Sequence, residues 1–168
     1  KKTGFLFADT HSSSPVKLDA YDGKKAEFII EGDRLFVKSF DGSGDTFSLF
    51  KHTLSNGVVS AAEMLDTGVK ACSIIGSDMW YRRSVSGSSL CDLYKYSAEK
   101  EKIDGDVASF ARMSDGSVLI VKNFVSSPDG DIADLYLYDG KKAAPVSEKA
   151  ELKNMKYSDK GIAFIRSG

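Results

Sequence analysis

Residues 79–82 read Met79-Trp80-Tyr81-Arg82, an apolar triplet closed by a base, and the phrase decides the architecture because it recurs. The pattern returns at Leu35-Phe36-Val37-Lys38, Leu119-Ile120-Val121-Lys122 and Ala163-Phe164-Ile165-Arg166. Turn formers precede it each time: Gly32-Asp33, Gly76-Ser77-Asp78, Asp115-Gly116 and Asp159-Lys160-Gly161. From Lys38 through Arg82 and Lys122 to Arg166 the steps are 44, 40 and 44 residues. A second phrase, Leu6-Phe7-Ala8-Asp9, reappears as Leu49-Phe50-Lys51-His52, Leu93-Tyr94-Lys95-Tyr96 and Leu135-Tyr136-Leu137-Tyr138, at steps of 43, 44 and 42. Two phrases keeping one period over four copies mark an internal repeat.

Short runs of Phe, Tyr, Val and Ile between Gly, Asp, Ser and Asn are strand signals, and no helix is needed. In the third copy they give four strands, 92–96, 101–103, 109–113 and 118–122. Four strands in roughly 40–45 residues is the arithmetic of a β-propeller blade. The expected fold is therefore all-β: one domain over 1–168, with four-stranded units near 4–40, 46–84, 90–124 and 132–168, about 42 residues each. Pairing of the first strand (4–10) with the last (161–166) would close a four-bladed ring and hide the free edges. A segment of a larger propeller, a homodimer of two such segments, or a β-sandwich are the alternatives. The stretches Asp134-Leu-Tyr-Leu-Tyr-Asp-Gly-Lys-Lys142 and Tyr157-Ser-Asp-Lys-Gly-Ile-Ala-Phe164 resemble bacterial β-propeller repeats of the TolB-like or WD-like kind, particularly those of cell-surface propellers. The resemblance implies blades around an axis and an extracellular or cell-surface location, and it carries over no catalytic residue.

Composition narrows the function. The 168 residues carry 23 basic and 24 acidic side chains, a net charge of −1, and 42% are hydrophobic. Such a balance suits a folded domain with a real core and argues against a nucleic-acid binder. No run approaches the ~20 apolar residues of a membrane-spanning helix. The start at Lys1-Lys2-Thr3, with neither methionine nor leader, fits a piece of a longer precursor. Cys72 and Cys91 are too few for a disulfide scaffold. Placed on the first and third strands of one sheet they would lie ~9.6 Å apart, beyond disulfide reach, and should be thiols.

Candidate chemistry is sparse. His52 shares its repeat position with Asp9, Tyr96 and Tyr138, which predicts a strand-surface role, and His11 opens the loop His11-Ser-Ser-Ser-Pro15. No G-x-S-x-G elbow, zinc-ligand spacing or helix-borne phosphate loop is present, so no catalytic residue, metal or cofactor is assigned. Asp41–Asp45, Asp104-Gly105-Asp106 and Asp129-Gly130-Asp131 read as tight turns, as do the identical phrases Tyr21–Lys25 and Tyr138–Lys142. Trp80 aligns with Phe36, Ile120 and Phe164, the mark of a core position. The one candidate ligand-binding set is Lys38, Arg82, Lys122 and Arg166, equivalent strand ends that a ring would gather around its axis to attract an anion. The expected function is a non-catalytic binding module for a protein, peptide or glycan. Converging carboxylates in a pocket at the ring's mouth would favour a hydrolase or lyase instead. A purely structural segment is the third reading.

Overall fold

The computed structural model describes residues 4–8, 15–40, 42, 44–158 and 161–166. The described residues form strands and one 3-10 turn. They divide into two compact units, 1–71 and 72–168.

In the first unit, β1 (Leu6–Phe7) pairs with β2 (Val16–Lys17), and a 3-10 turn follows at Asp19–Tyr21. β3 (Lys25–Glu31), β4 (Arg34–Phe40), β5 (Phe47–Ser55) and the opening of β7 (Glu63–Ile75) make an antiparallel meander, with β6 (Val58–Val59) returning on β5. Leu35 and Val37 of β4 are buried under Leu18 and Tyr21, with Phe5 and Phe7 at the margin, so the N-terminal segment covers that face. The phrase Tyr21–Lys25 is a turn, with Gly23 at φ 75°.

The second unit takes the end of β7, then β8 (Asp78–Ser84), β9 (Cys91–Tyr96), β10 (Lys100–Arg112), β11 (Val118–Val125), β12 (Ile132–Tyr138), β13 (Ala143–Ser158) and β14 (Gly161–Arg166). Each strand neighbours the next in chain order. The long strands organise this meander. The first half of β10 pairs with β9, from Lys100↔Tyr96 to Val107↔Cys91, and the second half with β11, from Val107↔Lys122 to Arg112↔Val118. In β13 the partner changes at Ala150, which faces Ala133 of β12 on one edge and Arg166 of β14 on the other. Hydrogen bonding thus groups β7–β8–β9 with the start of β10, and the rest of β10 with β11, β12 and the start of β13. In the first unit, β3, β4 and β5 pair with the start of β7 in the same way. A residue in the left-handed region stands just before each junction: Gly68 (φ 66°), Asp106 (φ 56°) and Lys149 (φ 50°). Such a residue makes a β-bulge that bends the strand. Val69, Val107 and Ala150, which follow, are fully buried.

Packing on both faces explains the apolar triplets. Residues alternate sides along a strand, so a run buried throughout needs a packed layer on each face. In β11, Val118 and Ile120 join Ile75, Trp80, Leu93, Val107 and Tyr138 in one core. Leu119 and Val121 join Met113, Ala133, Leu135 and Ala150 in another. Trp80 is 4% exposed, with Tyr138 edge-on at 5.5 Å between ring centroids.

Several expectations change. The proposed unit boundaries, between 40 and 46, 84 and 90, and 124 and 132, are crossed by continuous ladders: β4 pairs β5, β8 pairs β9, and β11 pairs β12. The junctions lie instead inside the long strands. Two strands expected in the third copy, 101–103 and 109–113, belong to β10 except Met113, which follows its end, and Asp104-Gly105-Asp106 is its bulge, not a turn. The four-bladed ring is not closed: β1 takes β2 as its partner, because the segment folds back within its own unit, and β14 takes β13. Cys72 on β7 and Cys91 on β9 are thiols with β8 between them, as expected.

Candidate functional site

Three of the four proposed basic residues are engaged by their own neighbours. Lys38 sits opposite Glu27 in the β3–β4 ladder, 3.3 Å from its carboxylate. Lys122 lies opposite Val107 at the β10 bulge and reaches Asp104 Oδ1 at 2.6 Å. Arg82 donates to the carbonyl of Ala108, just beyond that bulge. A bulge leaves backbone carbonyls outside the regular ladder, and a nearby base can satisfy them. Arg82 and Lys122 are therefore both engaged along the bulged stretch of β10, Arg82 by a backbone carbonyl and Lys122 by a side-chain carboxylate. Arg166 lies in β14, and its side chain falls outside the described residues, as does the whole of His11.

His52 is not on the strand surface. It is 4% exposed, because Tyr21 of the N-terminal segment closes over it. The Ser60 carbonyl, 2.8 Å away, can only accept, so Nδ1 carries the proton. Nε2 of the neutral ring then accepts from the Tyr21 hydroxyl, also at 2.8 Å. Burial pushes the Tyr21 phenol up to about 12.

The feature that sequence reasoning missed is a cleft of about 370 Å³ in the second unit. Three turns meet there: Gly76 after β7, Asp115–Ser117 between β10 and β11, and Asp139–Gly140 after β12. Ile75, Trp80, Val118 and Tyr138, all members of one core, form its floor. Asp78, Lys95 and Arg112 complete the lining. The volume lies in the range of small-molecule sites.

Its charges are held in place. The Ser117 hydroxyl (2.5 Å) and backbone amide (2.9 Å) donate to Asp115 Oδ1 and keep its carboxyl below the ordinary value. The amides of Lys142 (3.0 Å) and Lys141 (2.9 Å) do the same at Asp139 Oδ1. Lys95 is raised by its hydrogen bond to Glu101, 2.9 Å away on the paired strand. Arg112 is exposed and makes no ion pair among the described residues. No group of three or more His, Cys, Asp or Glu side chains able to hold a metal occurs among the described residues. A second cavity, about 460 Å³ in the first unit, is lined mostly by Phe7, Ile30, Leu54, Val58 and the turn 55–57, with Asp33 its one titratable group.

The turns were legible as turns; their meeting was not, since it follows from tertiary packing. These features define a class, an all-β protein of mostly antiparallel strands paired in chain order. Comparison with family models, with curated proteins and with solved structures found no match.

Proposed function

We propose that this chain is a non-catalytic binding module whose stacked sheets are blades of the propeller type, with the ligand seated in the Trp80–Tyr138 cleft. The period, four strands to a sheet, and a strand handed on from each sheet to the next support the blade reading. The reading of the site rests on how its carboxylates are held: Asp115 and Asp139 each accept two hydrogen bonds from their own turns. A hydrolase or lyase needs a group whose pKa is drawn toward neutrality so that it can trade a proton. Here Asp115 and Asp139 are driven down and Lys95 up, each toward its charged form. Three carboxylates do converge, but two are tied into their turns as fixed acceptors. Fixed charges on a rigid apolar floor orient a ligand and leave it intact.

The test is recovery of the ligand. The protein is incubated with pools of peptides and glycans, and the bound fraction is read by mass spectrometry. Recovery of intact species supports the module. Accumulation of cleaved or eliminated products would make the protein an enzyme.

A further inference from the structure

We infer that the cleft receives a neutral, polyhydroxylated ring, a sugar residue of a glycan; this rests on the binding-module reading and names its ligand class. The floor supplies the first argument. Trp80 is 4% and Tyr138 5% exposed, and both line the cleft. Neither the indole N–H nor the phenol hydroxyl makes a hydrogen bond to another described residue, and neither atom is among those sealed without a partner in the core. Two polar groups on otherwise buried side chains are therefore offered to the occupant. Buried polar groups take partners, and these can find theirs in a ligand.

The rim supplies the second. Asp115 and Asp139 each commit Oδ1 to the turn, and neither Oδ2 has a hydrogen-bond partner among the described residues. Arg112 brings donors without an ion-pair partner. Donors and ionised acceptors thus stand together around one small volume. A carboxylate ligand would meet the aspartates, and an ammonium would meet Arg112 and Lys95. Sugar hydroxyls each donate and accept, so one uncharged ring serves both kinds of group. Hydrogen bonds to charged partners are the stronger ones, and guanidinium and carboxylate can each engage two oxygens at once. About 370 Å³ accommodates one or two such rings.

Trp80 is the only tryptophan, so its emission reports on the cleft alone. The intact protein is titrated with glucose, galactose and N-acetylglucosamine, then with glucosamine and glucuronate, which keep the ring and add a positive or a negative charge. The expected result is a saturable change with a neutral sugar, weakened at least tenfold in Arg112→Ala at an unchanged melting temperature. Undiminished binding in that variant would overturn the assignment. A response only to the charged sugars, or to none of the five, would overturn it too while leaving the binding module standing. Recovery of cleaved products from the ligand pools would instead remove the module itself.

Discussion

His52 and Tyr138 occupy the same place in the period, on β5 and β12, and both are almost wholly buried, yet each keeps different company. In the first unit the space beside His52 is filled from within: Tyr21 hydrogen-bonds one ring nitrogen and Ser60 the other. In the second, Tyr138 lines a cleft. One position of the period serves structure where the chain supplies its own partner, and under the proposed function recognition where it does not. Equivalence in sequence fixes where a residue stands. What stands beside it fixes what it does.

Truncating the floor should have the largest effect. Trp80→Ala empties the core that Ile75, Leu93, Val107, Ile120 and Tyr138 share, and should lower stability by ~3–5 kcal/mol in urea denaturation. An unchanged unfolding midpoint would show that the indole does not hold that core together, and the contrast with His52 would lose its buried floor. Next comes the sealed side. Tyr21→Phe leaves a buried His52 nitrogen without its donor and should cost ~1–3 kcal/mol. The same pair predicts alkaline sensitivity. The fold holds Tyr21 neutral to about 12 against an ordinary 10.0, so this stabilisation is complete below pH 10.0 and lost as pH climbs toward 12. A pH series of melting temperatures should show that decline, and Tyr21→Phe should remove it. The smallest change concerns the bulges. Lys149 at φ 50° holds a conformation that Gly68 adopts freely in the first unit, so Lys149→Gly should gain up to roughly 1 kcal/mol. A loss there would show that the lysine side chain, not backbone strain, governs the junction.

Much of the strand content was readable because apolar triplets and Asp-Gly turns are local signals. Leu35–Val37, Met79–Tyr81 and Leu119–Val121 are all buried, as their shared register requires. The phase of the repeat was not readable. Asp104-Gly105-Asp106 has turn chemistry, and only the ladders on either side reveal that the strand continues through it. Of the basic positions, Lys38 and Lys122 meet carboxylates and Arg82 a carbonyl, partners that the spacing along the chain does not reveal. Arg112 and Asp115 gave no signal, because no spacing along the chain brings a hairpin to Trp80 and Tyr138. His52 looked exposed because Tyr21, its cover, lies 31 residues away.

Val107 is paired with Cys91 on one edge and Lys122 on the other, and Ala150 is held in the same double grip by Ala133 and Arg166. Each such residue is a rivet through overlapping plates: neither plate can lift off without laying bare the border of the next. Residues 72–168 should therefore melt in one cooperative step, because what fastens one group of strands to the next is backbone, not side chain.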